Sequence, residues 1–249
     1  MRTLLVAGFT SPLSAALLEA LDPGSFRILG IFRTRRERAE ELEQRAQARG
    51  IEVAVLAADL ASDEGVALLG PLVPPEGADL VFALAPRLEL QALARGEARL
   101  FHAQFEGQVL PAVGLARLLA PRWQRARSGN AVFVLSATTL GDPPAGFAAY
   151  TAAKYALLGL ARTLSVEHRA QGVSVAAVSP AAFPSALWDG VPEAVVEGQE
   201  HSSPAAVAGE IVQLLGRRPD ASGHGAPFVN VPVGVARRGE LAVASPERG

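Results

Sequence analysis

Short, densely apolar runs alternate with longer stretches of helical period along the chain. Residues 4–7, 27–32, 51–56, 80–84, 131–136, 173–178 and 228–231 are rich in β-branched, aliphatic and aromatic side chains and read as strands. Between them, residues 13–21, 35–49, 62–69, a long segment over 88–119, 148–168 and 204–215 repeat their apolar positions with the period of a helix. A strand that is apolar throughout needs cover on both faces, and right-handed crossovers place helices there. The pattern therefore predicts an α/β fold, a doubly wound parallel sheet of about seven strands with helices on both faces. Such a sheet binds ligands at the carboxyl ends of its strands.

No repeat or linker divides residues 1–249, so a single domain is expected. Residues 180–203, which carry Pro184, Gly190, Pro192, Gly198 and Trp188, form the longest irregular stretch before the last helix and are expected to be a substrate loop. The polar tail from Arg237 onward is expected to be loosely held.

Composition removes several classes. A net charge of -2 and a pI near 6.1 argue against nucleic acid as partner. The absence of Cys excludes thiolate chemistry, and the four His (His102, His168, His201, His224) lack paired ligand spacing, so no metal is expected. No run approaches the ~20 apolar residues of a membrane span, and a cytoplasmic protein with no membrane partner is expected.

Of the 23 basic residues only Lys154 is a lysine; the other 22 are Arg. Coding bias explains the excess of Arg, and it makes the one retained Lys informative. Lys154 stands four residues after Tyr150, one of only two Tyr. Chance gives that offset in roughly 1% of placements, so a chemical reading comes first. On a helix the two side chains share a face, and an ammonium beside a phenol favours its use as an acid or base.

The segment Tyr150-Thr151-Ala152-Ala153-Lys154-Tyr155-Ala156-Leu157-Leu158-Gly159 and its continuation to Glu167 resembles the active-site helix of the short-chain dehydrogenase/reductase family, with a Rossmann-type fold, and the ketoacyl-reductase-like members above all. The stretch Val175-Ala176-Ala177-Val178-Ser179-Pro180 is similar to that family's sixth strand. The resemblance implies that Tyr150 exchanges a proton with a substrate oxygen and that Lys154 lowers its pKa and holds the nicotinamide ribose. It implies a small-molecule carbonyl or alcohol substrate and a homodimer or homotetramer. The apolar faces that carry Leu115, Leu118, Leu157 and Leu160 fit such an assembly, or burial against the sheet. The family's substrate-holding hydroxyl falls on Ser136 by the strand end or on Thr138 by counting from Gly141, and its helical Asn falls on Gln108.

The cofactor loop departs from the family's pattern. Of its glycines only Gly8 is kept, with Pro12 and Ser14 in the other two places and Thr10, Ser11 and Ser14 offering hydroxyls to phosphate. Ser14 serves equally as a helix cap. After the second strand stand Arg33 and Thr34 with no acid before Glu37, which favours NADP over NAD. Asp59 matches an adenine-contacting Asp, Ser185 a nicotinamide-contacting Thr, and Ala83 opens Ala83-Leu84-Ala85-Pro86 where the family has Asn-Asn-Ala-Gly. The expected function is an NADP(H)-dependent oxidoreductase interconverting a ketone and a secondary alcohol. The alternatives are a non-catalytic scaffold or ligand-binding relative, to which the degenerate loop points, and an enoyl reductase, to which the form of the Gly8 loop points.

Overall fold

A computed structural model describes residues 1–234; the tail from Arg237 lies outside the described residues. Among the described residues seven strands form one parallel sheet in the order β3-β2-β1-β4-β5-β6-β7. They are β1 Arg2–Ala7, β2 Phe26–Phe32, β3 Glu52–Ala57, β4 Asp79–Phe82, β5 Gly129–Val134, β6 Val173–Pro180 and β7 Asn230–Val233. The helices are α1 Pro12–Ala20, α2 Arg36–Ala48, α3 Asp63–Ala67, α4 Ala98–Gln104, α5 Leu110–Ala126, α6 Ala148–His168, α7 Glu193–Glu197 and α8 Pro204–Leu215.

Alternation along each strand divides the core in two. Leu4 and Val6 of β1, Val132 and Val134 of β5 and Ala176 and Val178 of β6 pack under α1, α2 and α8, against Leu13, Leu42 and Ile211. Leu5 and Ala7, Ala131 and Phe133, and Val175 and Ala177 point the other way, into a layer with Leu115, Leu119 and Trp123 of α5 and Leu157 and Leu164 of α6. Both faces are covered, which is why the central runs of β1, β5 and β6 are apolar on both sides. Ser11, Ser62 and Ser203 start α1, α3 and α8, each accepting a hydrogen bond from a backbone N–H of the first turn.

The chain winds outward from β1 to β3 and then crosses to β4 on the other side of β1. That reversal opens a crevice at the carboxyl ends of β1 and β4.

Two expectations are corrected. The long helix expected over 88–119 begins only at Ala98, after the short turn Leu93–Arg95, and runs on to Ala126. Before it, the backbone N–H groups of Leu88 and Gln91 donate to Leu187 and Gly146, far away in sequence, so this segment is tied down in a non-helical course. A π-turn over Phe105–Val109 joins α4 to α5, just before Pro111, which has no N–H to give. The last strand, expected over 228–231, lies two residues later. Phe228 packs with the α6 layer instead, its ring facing Arg162, and Pro232 is accommodated because β7 is an edge. Leu115 and Leu157 are fully buried against the sheet, and Leu118 and Leu160 pack on the same layer, so these leucines serve the core. The stretch 180–203 contains a helical turn at Ala186–Trp188 and the short helix α7.

Candidate active site

The crevice is a cleft of about 1040 Å³. Its walls are the loop after β1, the ends of β2 to β5, one face of α6 and the segment that follows β6.

At its centre α6 presents Tyr150 and Lys154, one helical turn apart and 7% and 2% exposed. The Lys154 Nζ lies 5.6 Å from the centre of the Tyr150 ring. It donates to the carbonyl of Val134 at 3.0 Å and reaches that of Leu84 at 3.5 Å. Burial pushes the Tyr150 phenol up to about 12, although a hydrogen bond with Ser136 pulls the other way. Burial also pushes the Lys154 amine down to about 7. Tyr150 is thus a protonated phenol at neutral pH, and Lys154 is near its titration midpoint.

Ser136 ends the β5 segment beside Tyr150. Its Oγ accepts from the Thr138 N–H at 3.3 Å, and its carbonyl accepts from the Thr139 hydroxyl at 2.8 Å. Thr139 is linked to Ser179 at 3.0 Å, and Ser179 donates to Asn230 at 2.8 Å, so β6 and β7 brace this turn. Thr138 also lines the cleft, and its buried hydroxyl has no partner among the described residues. Gln108 is elsewhere: its fully buried side chain donates to Gln104 at 2.7 Å, and Glu106 and Gly107 form the wall at that point.

The other half of the cleft is built around Gly8. Its φ of +92° suits glycine, and a Cβ there would stand 2.6 Å from the Ala83 carbonyl oxygen. Thr10, Ser11 and Pro12 line the cleft at the start of α1, where the helix dipole and hydroxyl donors suit an anion. Ser14 does not reach it. Its hydroxyl donates to the Gly8 carbonyl at 3.0 Å and holds the loop together from behind. Arg33 and Thr34 are exposed on the cleft wall, which Asp59, Ala83 and Ser185 also line. Arg35 adopts a left-handed backbone (φ 63°), and its guanidinium lies 3.8 Å from the Asp189 carboxylate across the opening. A crevice with a Cβ-free position, a helix start and an Arg33 that has no acidic partner among the described residues fits the phosphates of a dinucleotide. Among the described residues no group of three His, Asp or Glu could hold a metal.

The family model described as short chain dehydrogenase matches residues 2–195. The chain belongs to the short-chain dehydrogenase family. A Brucella melitensis 3-oxoacyl-[acyl-carrier protein] reductase with bound NAD is similar at 17% identity and a TM-score of 0.78, over 94% of this chain and 92% of that one. A Beutenbergia cavernae protein with NADP at low occupancy is similar at 22% identity and a TM-score of 0.77, over 93% and 95%. A short-chain type dehydrogenase/reductase from Mycobacterium ulcerans is similar at 17% identity and a TM-score of 0.79, over 94% and 89%. These likenesses show the fold. No protein of curated function matches the chain.

Within this short-chain dehydrogenase fold, sequence reasoning overlooked Arg87 and Phe147, which shape the outer cleft together with the expected loop. Arg87 donates through Nε to the Asp189 carbonyl, and a Cβ on Gly190 would come 2.6 Å from its guanidinium. Phe147, Leu88 and Tyr150 form a third apolar cluster that receives Leu187, Trp188 and Val195. The clue for Arg87 was its place just after Pro86 at a strand end, where the switch point falls. Phe147 had only its nearness to Tyr150.

Proposed function

We propose that the chain is a cytoplasmic NADP(H)-dependent oxidoreductase that interconverts a ketone and a secondary alcohol, with residues 1–249 as one catalytic domain and 180–203 as its substrate loop. The observation that carries this reading is the convergence of Tyr150, Lys154 and Ser136 on one cleft whose other half suits a dinucleotide.

Bound nicotinamide supplies or accepts the hydride. Tyr150 holds a proton at its Oη and gives it to the developing alkoxide during reduction; burial keeps that proton in place until a stronger base arrives. Ser136 orients the carbonyl oxygen toward the phenol, with Thr138 as a second hydroxyl on the same turn. Lys154, when charged, stabilises the phenolate left behind and can turn from the Val134 carbonyl to a ribose hydroxyl. Gly8, Thr10 and Ser11 would hold the pyrophosphate, Arg33 and Thr34 the 2′-phosphate, Asp59 and Ala83 would flank the adenosine half, and Ser185 would stand at the nicotinamide, all of them lining the cleft. Gln108 and Ser14 act from behind the wall, the one under the π-turn and the other under the loop.

Leu110, Val113, Tyr155 and Val166 are exposed on α5 and α6 and support a homo-oligomer. Among the described residues no helix is long and apolar enough to cross a membrane.

A second reading, a ligand-binding relative without catalysis, draws on Pro12 at the start of α1, which removes an N–H from the phosphate site, and on the engagement of Lys154 by two carbonyls. Thermal melting with added cofactor separates the two. The enzyme reading expects NADPH to raise the melting temperature more than NADH does; a folded protein indifferent to both would leave only the second reading.

A further inference from the structure

The chain that follows β6 leaves the sheet and comes back to where it left. Ala182 pairs with His201: its N–H donates to the Glu200 carbonyl at 2.9 Å, and its carbonyl accepts from the Ser202 N–H at 2.8 Å. Residues 183–199 are therefore an excursion closed at its base. Its tip, the turn Ala186–Trp188 and Asp189, lines the cleft. Such an excursion takes its position from the groups that its tip meets.

Residues 87 and 88 meet that tip twice. The Leu88 N–H donates to the Leu187 carbonyl at 2.9 Å, and Arg87 donates through Nε to the Asp189 carbonyl. The second bond has a charged donor and is the stronger kind. Gly190 completes the seat. Its φ is +83°, and a Cβ there would stand 2.6 Å from the Arg87 Nη2, so the guanidinium lies where only glycine leaves room. Arg87 is also fixed from behind: its carbonyl accepts from Gln104 at 3.0 Å, and the Gln104 side chain accepts from Gln108 at 2.7 Å, both glutamines being buried. Arg35 reaches Asp189 too, at the carboxylate, but at 3.8 Å between two side chains more than half exposed that ion pair is worth little. Beneath the tip, Leu88, Phe147 and Tyr150 form the buried cluster on which Leu187 and Trp188 pack. The bonds at 87 and 88 thus bring the tip down beside Tyr150.

We propose that Arg87 is the positioning residue of the substrate loop: its Nε, held on the Asp189 carbonyl, sets the loop tip against the Tyr150 cluster and so fixes the wall on which the substrate lies. It acts through the loop rather than on the reacting atoms. Its effect on turnover rests on the oxidoreductase reading above; its effect on the loop does not.

Two measurements on the full chain keep these apart. The first is residue-resolved amide hydrogen exchange. The Leu88 N–H reports the tip, and the Gln91 N–H, which donates to Gly146, reports the same segment away from it. Arg87→Met keeps the length of the stem and removes the donor. It should speed exchange at Leu88 by at least about tenfold, as loss of one charge-assisted bond would, and leave Gln91 unchanged. Arg87→Gln keeps an N–H at the same number of bonds from Cα and should hold Leu88 within about threefold of the wild type. The second is initial-rate kinetics with NADPH and the ketone that a carbonyl panel shows to be turned over fastest. A wall binds substrate and transition state alike, so Arg87→Met should raise KM about tenfold with kcat within about threefold, and Arg87→Gln should restore KM. Faster exchange at Leu88 alone, in a protein that turns over no ketone, would sustain the positioning role and sink the oxidoreductase reading. Leu88 exchange unchanged in Arg87→Met, Leu88 and Gln91 accelerated together, Arg87→Gln behaving as Arg87→Met, or kcat falling with KM unmoved would overturn the role given to Arg87.

Discussion

The Lys154 amine lies 5.6 Å from the centre of the Tyr150 ring and at the same time donates to the Val134 carbonyl at 3.0 Å. The pair therefore shares a buried compartment without a direct charge contact. Burial raises the phenol and lowers the amine, so each is pushed toward its neutral form. A ligand that draws Lys154 toward the cleft would restore its charge and activate Tyr150.

That displacement of Lys154 has a consequence for stability. Between about 7 and its ordinary value of 10.5, the unfolded chain binds a proton on Lys154 that the folded chain does not, so stability should rise with pH across this window. Tyr150 acts oppositely: between 10 and about 12 the folded chain keeps a proton that the unfolded chain has lost, so stability should fall there. Denaturant midpoints measured from neutral pH to about pH 10 should climb in the wild type and flatten in Lys154→Met. An unchanged slope in the variant would assign the effect to another group.

The two hydroxyls of the β5 turn make different predictions. Ser136 is hydrogen-bonded to Tyr150, whereas the buried Thr138 hydroxyl has no partner among the described residues. Ser136→Ala should lower kcat/KM by roughly a hundredfold, the order of one oriented hydrogen bond to the reacting oxygen. Thr138→Val should cost less than about threefold. Steady-state kinetics on both variants checks this, and the reverse order would move the substrate-holding role to Thr138.

Arg33 is exposed at the cleft with no acid beside it on the strand end. Arg33→Ala should weaken NADPH binding by about tenfold, as loss of a charge-assisted contact would, and leave NADH binding nearly unchanged. Titration of the two cofactors by fluorescence reads the difference. Equal weakening of both would show that Arg33 does not read the 2′-phosphate.

Much of this arrangement could be read from the chain. Helices α6 and α8 were legible end to end because their apolar period is uninterrupted, and the two-sided burial of β1, β5 and β6 made their strands visible as plain apolar runs. Tyr150 and Lys154 were legible because a helix converts a four-residue spacing into a shared face. The segment before Ala98 was misread because its course is set by distant partners, Leu187 for Leu88 and Gly146 for Gln91, which no local period reveals. Ser14 and Gln108 were placed at the cleft by alignment, yet local packing turns both side chains away. The ring wall of Phe147 and Trp188 joins residues 41 apart in the chain and exists only in the fold.

The most direct test of the central claim is the rate of NADPH oxidation by a ketone in wild type and in Tyr150→Phe, with NADPH affinity measured on the same samples. The account predicts that the variant binds NADPH nearly as well as the wild type while turnover falls by roughly a thousandfold or more. Turnover in Tyr150→Phe equal to that of the wild type would contradict it.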